Sequence, residues 1–167
     1  VIGCEFANIF NSLGANVTIV ELLERILPTE DREVSKKLEL IFKKKGIVIH
    51  TGKRAQDLNL DEFEKILICV GRDPCTKDLG LEEVGVKKEK NRIAVNEFLE
   101  TNVKGISAAG DCIGGYQLAH VAAYEGRLTV NNIFGQKEKT DYSAVPNAIF
   151  TNPEIASVGL KEEEAKN

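Results

Sequence analysis

The sequence predicts an α/β chain built on a doubly wound, mostly parallel sheet, and three observations carry that reading. Ile2, Phe6, Ile9, Phe10 and Leu13 recur at three- and four-residue steps, giving an apolar stripe along one helix face, and Gly14 follows as its stop. Val17, Ile19 and Val20 then form a short β-branched run of the kind that a parallel strand buried on both faces requires. A second helix and a second β-branched run repeat the pattern, so that a crossover helix joins parallel strands.

The elements follow in order. After the first strand, 22–28 is a connection. A helix is expected from about Glu30 to Lys45, with an acidic start, a basic end and a stripe of Val34, Leu38, Ile41 and Phe42. Gly46 stops it, and Ile47 to Ile49 is the next strand. Residues 54–64 are polar and without a period. Lys65 to Gly71 reads as a buried strand ending in glycine, with 72–76 as a loop. The stretch 79–91 reads as a polar connection, and Ile93–Val95 and Ile106–Ala109 as short strands. A helix is expected from about Tyr116 to Phe134, striped by Leu118, Val121, Ala122, Leu128 and Ile133 and stopped by Gly135. Beyond a hydrophilic linker, 148–151 and 155–158 look like strands of a different, antiparallel sheet, and 161–166 begins a helix.

Composition narrows the function. The chain has 167 residues, 43% hydrophobic and 29% charged, which marks a soluble globular protein. A net charge of -4 with interleaved signs argues against nucleic acid, and Lys43, Lys44 and Lys45 read as a helix end facing its own dipole. No stretch approaches the roughly 18 apolar residues of a membrane span, and no signal peptide opens the chain, so a cytoplasmic location is expected. Cys4, Cys69, Cys75 and Cys112 are scattered without metal-site or C-x-x-C spacing and read as ordinary reduced thiols; no metal site is expected.

The chemistry lies at strand ends. A dinucleotide lays its pyrophosphate on the N-terminus of a first helix, and the carboxylate that ends the second strand accepts hydrogen bonds from the adenine ribose. Glu21 ends that strand, and Gly3 is the candidate third glycine of the phosphate-binding fingerprint. A ribose 2′-phosphate would be repelled by Glu21, and the only arginine nearby is Arg25, so NAD is favoured over NADP. Gly71, at a strand's carboxyl end, either lets backbone approach a ligand or is a plain turn. Gly110-Asp111, followed by Gly114-Gly115 and a helix, forms a second nucleotide-binding corner. The sequence contains no methionine and only the last fingerprint glycine, so it is expected to be a piece of a longer protein.

Taken in order, Ile2-Gly3-x-Glu5, Glu21, Val70-Gly71-Arg72-x-Pro74, Ala109-Gly110-Asp111, Leu118-Ala119-His120 with Glu125-Gly126, and Val145-Pro146 through Asn152-Pro153-Glu154 to Val158-Gly159 resemble the flavoprotein disulfide reductases. The resemblance covers nearly the whole chain. The Leu-Ala-His…Glu-Gly stretch favours the dihydrolipoamide-oxidising branch over the glutathione and mercuric reductases.

The resemblance implies residues 1–74 as most of a Rossmann-like NAD-binding domain, 75–140 as the closing segment of an FAD-binding domain, and 141–167 as the start of an α+β interface domain. It implies electron flow from dihydrolipoamide through a redox disulfide and FAD to NAD, a homodimer, and as partner a lipoyl domain of a 2-oxoacid dehydrogenase or glycine cleavage complex. It puts Gly3 under the NAD pyrophosphate, Glu21 on the adenosine ribose, Glu5 at the nicotinamide–flavin junction and Gly71 beside the nicotinamide. It puts Asp111 on a ribityl hydroxyl of FAD, with Leu118 and Ala119 near the isoalloxazine through their backbone. His120 is not assigned as a base, because the family's His–Glu pair belongs to a C-terminal segment outside this sequence. The redox cysteines also lie outside it, so this piece alone is expected to be inactive. The segment 54–64 is shorter than the family's antiparallel excursion there. Two alternatives are an NADH-consuming peroxide or oxygen reductase and a non-catalytic nucleotide-binding module.

Overall fold

Two β-branched runs separated by an amphipathic helix need each other's backbone edges, and in the computed structural model, which describes residues 1–166, they find them. Strand β1 (Thr18–Glu21) pairs in parallel with β2 (Val48–Thr51), in the register Thr18 to Val48 through Glu21 to Thr51. Helix α1 (Ile2–Ser12) precedes β1, and α2 (Arg32–Lys44) makes the crossover. Leu38 and Phe42 of α2 are fully buried with Ile26, Leu27 and Ile47, while Val17, just before β1, and Ile19 and Ile49 in the strands pack against them. The α2 stripe is therefore the core face that periodicity predicts.

Helix α1 departs from expectation. Its buried residues are Cys4, Ala7 and Asn8, while Ile2, Phe6, Ile9, Phe10 and Leu13 are exposed, with the Phe6 and Phe10 rings stacked 5.7 Å apart. The small-residue face is the one that packs within this unit, with Cys4 in the core of Phe42 and Gly3 in ordinary contact range of Cys69. The segment 65–70 departs too. It is not a strand, and Ile66, Leu67, Ile68 and Val70 are exposed, Val70 at 92%. A β-branched run becomes a strand only beside another edge, and among the described residues no strand runs along this one.

The chain divides into two compact units, Val1–Val70 with Ser143–Asn167, and Gly71–Tyr142. The returning segment of the first unit carries the antiparallel pair β5 (Asn147–Ile149) and β6 (Ile155–Ser157), then the short α4 (Glu162–Ala165). Ile149 enters the same core as Phe42. Asn147 Nδ2 donates to the buried Glu30 at 2.7 Å, Lys45 Nζ to the Asn152 carbonyl at 2.6 Å, and the Glu162 N–H to Asp31 Oδ1 at 2.9 Å.

In the second unit, Val86, Ile93, Leu99, Val121 and Leu128 are buried. The stretch read as a polar connection holds β3 (Lys88–Glu89), which forms a hairpin with β4 (Arg92–Ile93) around Lys90 and Asn91. The expected strand at 106–109 reduces to a single antiparallel bridge, Ser107 to Glu100. Helix α3 (Ala119–Ile133) starts later than its glycines suggest and buries Val121, Glu125 and Leu128, leaving Ile133 exposed. Residues 55–57 and 60–62 are single 3₁₀ turns. Among the described residues no helix is long and apolar enough to cross a membrane.

Candidate nucleotide-binding corners

The first corner is the carboxyl edge of the parallel pair. Glu21 is the last residue of β1, and its Oε1 accepts the Leu23 N–H at 2.9 Å. The chain beyond it is tied to the neighbouring strand's exit, with Gly52 N–H donating to the Leu23 carbonyl at 2.9 Å and Lys53 N–H to the Glu21 carbonyl at 3.2 Å. The carboxylate thus stands half-buried in a fixed turn.

Arg25 is held elsewhere. Its Nη2 donates to the Pro28 carbonyl at 3.2 Å and the Glu30 carbonyl at 3.4 Å, and its Nη1 lies 3.6 Å from Glu163. The guanidinium therefore braces the 25–30 loop. This arrangement accepts hydroxyl donors at Glu21 and offers a 2′-phosphate no free arginine at Arg25, which fits an unphosphorylated adenosine ribose.

Gly3 lies in the first turn of α1, in which the Cys4 and Glu5 N–H groups both donate to the Val1 carbonyl, at 2.9 and 3.2 Å. Glu5, also in the first turn, has its Oε1 bonded by the Phe150 N–H at 2.8 Å.

The second corner belongs to the other unit. Gly110 has φ 80° and ψ -160°, a conformation essentially reserved for glycine, and a Cβ there would meet Ala122 Cβ at 3.2 Å. The backbone is thereby pressed against α3, and Asp111 begins a 3₁₀ turn (Asp111–Ile113) with its side chain exposed. A second glycine, Gly114, closes this turn at φ 76° and ψ -150°. Leu118 is the extended N-cap of α3 and Ala119 its first residue, so both present backbone at the positive end of that helix. Asp111 can accept a sugar-alcohol hydroxyl, and the start of α3 favours an electron-rich ring. Gly71 has φ 122° with nothing within 4 Å of a Cβ built there. Its glycine is thus demanded by the backbone conformation and not by crowding in the protein itself.

Glu125, in the sequence one half of a Glu-Gly motif, is the best-buried charged group of this corner, at 1% exposure. Its Oε2 accepts the Gly110 N–H at 2.6 Å and its Oε1 the Tyr142 hydroxyl at 2.7 Å. Burial, then the bond to Glu125, pushes the Tyr142 phenol well above its ordinary range. The sequence does hold a signal: Val121, Glu125 and Leu128 fall on one helix face, and a carboxylate inside an apolar stripe implies a buried partner.

The four cysteines are free, with Cys69 and Cys75 exposed, and the described residues contain no group of three His, Cys, Asp or Glu able to hold a metal ion.

A carboxylate that ends one parallel strand and a Gly-Asp corner before a helix are the features of an α/β chain on which the expectation of nucleotide binding rests. The chain belongs to the pyridine nucleotide-disulphide oxidoreductase family, whose model matches residues 1–126. It is 40% identical over 180 aligned residues to a dihydrolipoyl dehydrogenase of Chlamydia pneumoniae, which covers 99% of this chain and 39% of that protein. It is 36% identical over 184 residues to a mercuric reductase of Staphylococcus aureus, across 99% of this chain and 34% of the relative. Among solved structures, the Cu(II) complex of the HOCl-induced flavoprotein disulfide reductase RclA from Escherichia coli superposes with a TM-score of 0.87 at 29% identity, covering 99% of this chain and 42% of that one. The chain thus spans about two fifths of the dihydrolipoyl dehydrogenase it matches.

Proposed function

We propose that the protein containing this chain is an NAD-linked dihydrolipoamide dehydrogenase, in which electrons pass from dihydrolipoamide through a redox disulfide and FAD to NAD. The observation that carries the nucleotide half of this reading is Glu21, fixed by the Leu23 N–H at the carboxyl end of β1, with Arg25 bound into the 25–30 loop. Glu21 accepts the adenosine ribose hydroxyls, Gly3 and the opening of α1 take the pyrophosphate, and Gly71 leaves room beside the nicotinamide. Glu5 lines the nicotinamide–flavin junction with its carboxylate oriented by Phe150 N–H. In the second unit Asp111 accepts a ribityl hydroxyl, and Leu118 and Ala119 offer their backbone to the isoalloxazine.

FAD, when bound, relays the electron pair between thiol and nicotinamide; the residues of this chain bind, orient and exclude water. The substrate assignment draws on the 40% identity to the Chlamydia pneumoniae dihydrolipoyl dehydrogenase and on the Leu118-Ala119-His120…Glu125-Gly126 stretch. The redox cysteines are supplied from outside this sequence, so residues 1–167 alone are inactive. A homodimer working on the lipoyl domain of a 2-oxoacid dehydrogenase or glycine cleavage complex, in the cytoplasm, completes the proposal; four unpaired cysteines suit a reducing compartment.

The test is reduction of NAD by dihydrolipoamide in the complete protein, run beside reduction of mercuric ion by NADH. Mercuric turnover without lipoamide activity would move the assignment to the second relative's class, whose 36% identity makes it the specific rival. Absence of any bound flavin would remove both.

A further inference from the structure

Glu125 stands on α3, yet its carboxylate spends both oxygens on groups outside that helix. One takes the N–H of Gly110 at 2.6 Å, and the other takes the hydroxyl of Tyr142 at 2.7 Å. Gly110 is the residue immediately before Asp111. Its position is over-determined: φ 80° and ψ -160° admit essentially only glycine, and Ala122 of α3 stands 3.2 Å from where a Cβ would be. A carboxylate at 1% exposure is costly unless it is hydrogen-bonded. A helix whose only need were burial would be better served by an apolar residue between Val121 and Leu128.

From this geometry we infer that Glu125 is a positioning residue for flavin: by clamping the Gly110 N–H, with Tyr142 holding its second oxygen, it fixes the turn from which Asp111 meets the ribityl chain. The inference rests on the proposed placing of FAD at Asp111 and deepens it. The Tyr142 ring helps to seat the carboxylate, lying 5.7 Å from Tyr116 and 6.4 Å from Tyr124 between ring centroids. The Tyr124 hydroxyl in turn accepts the Asp141 N–H at 3.0 Å, so the residue next to Tyr142 is itself anchored to α3. Ala119, where α3 begins, and Glu125 belong to one helix. The clamp therefore couples the Gly-Asp turn to the helix end that would face the ring.

The experiment is reconstitution of the complete apoprotein with FAD, followed by flavin absorbance and fluorescence, with NADH binding and thermal unfolding measured on the same samples. Glu125→Ala leaves the Gly110 N–H buried without its acceptor and should weaken FAD binding by ~10-fold or more, while NADH binding changes by less than about twofold. Glu125→Gln keeps an acceptor for Gly110 and an amide donor toward the Tyr142 oxygen, and should restore FAD affinity to within ~3-fold. Tyr142→Phe removes only the second bond and should lose less than Glu125→Ala. Unchanged FAD affinity in Glu125→Ala, with the parent protein holding FAD normally, overturns the inference and leaves the functional reading intact. Equal losses of FAD binding, NADH binding and melting temperature in both Glu125 variants also overturn it, since they would mark a merely structural residue. A parent protein that takes up no FAD overturns the functional reading and this inference together.

Discussion

The Phe150 N–H donates to Glu5 Oε1 at 2.8 Å, joining the first turn of α1 to the end of β5 across 145 positions of sequence. The pair lies within one compact unit and adds a directional bond to the apolar contact that Ile149 makes with the core. A partly exposed, charge-assisted bond of this kind stabilises by about 1 kcal/mol. Glu5→Ala should lower stability by that amount in denaturant titration, and Glu5→Gln should recover most of it, because an amide oxygen still accepts the N–H. Equal stability of the two variants would show that the bond is not formed in solution. If Glu5 also lines the nicotinamide, Glu5→Ala should slow NAD reduction with little change in NAD affinity.

If Glu21 holds the adenosine ribose as proposed, it decides between nucleotides. Replacing it by alanine removes an acceptor for the ribose hydroxyls and the repulsion of a 2′-phosphate together. NADH affinity should fall ~10-fold, the worth of one charged hydrogen bond, while NADPH affinity holds or rises. The ratio measured by paired titrations is the informative quantity: the variant also loses the bond to the Leu23 N–H, and a loosened turn would lower both affinities equally.

Two glycines of the corners are not equivalent. A Cβ on Gly3 would reach Cys69 Cβ at 3.4 Å, ordinary contact, and its φ lies outside the left-handed region. Gly3→Ala should therefore fold with less than about 1 kcal/mol of loss in solution, any larger effect appearing only in NAD binding. Gly110→Ala faces a 3.2 Å contact with Ala122 and a φ of 80°, and should cost ~1–3 kcal/mol and bound flavin with it. Comparable melting temperatures for the two variants would contradict the geometry.

Where a residue's role depends on local pattern, the sequence was legible. The stripe of α2 names Leu38 and Phe42 before any coordinates do, and the β-branched runs at 17–20 and 47–49 place Glu21 at a strand end. Where the role depends on which neighbour is present, it was not. Periodicity finds the Phe6, Phe10, Leu13 stripe of α1 but cannot say that the opposite, small-residue face of Cys4 and Ala7 is the one that packs. The run 66–70 has strand composition, yet without an adjacent edge it stays irregular and exposed. The β3–β4 hairpin has no sequence signature because its turn is Lys90-Asn91, with Lys90 at φ 59°, in place of the Asn-Gly or Asp-Gly that announces such turns. The acceptor of the Gly110 N–H was hidden for a related reason: it comes from α3, 15 positions on, and only the misfit of Glu125 in an apolar stripe betrays it.

Cys4 offers a test of the core of the first unit that needs no cofactor. It is buried beside Ile26 and Phe42, and burial is the main cause that pushes its thiol from 9.0 up to about 11, with the carboxylates of Glu21 and Glu5 adding to the rise. At pH 8 iodoacetamide should modify the exposed Cys69 and Cys75 and spare Cys4 until denaturant opens the unit. The same burial sets a pH dependence with a defined sign. Below about pH 9 the thiol is protonated in both folded and unfolded chains, and its contribution to stability is fully present. Between pH 9 and 11 the unfolded chain releases the proton while the folded chain keeps it, so stability falls as pH rises, by an amount on the order of 2–3 kcal/mol by pH 11. Cys4→Ala leaves the other titrating groups in place and should flatten that part of the alkaline stability curve, at the cost of a small cavity visible at neutral pH. An alkaline slope identical in parent and variant would mean that Cys4 ionises as freely in the fold as outside it, and hence that α1 does not bury its small-residue face.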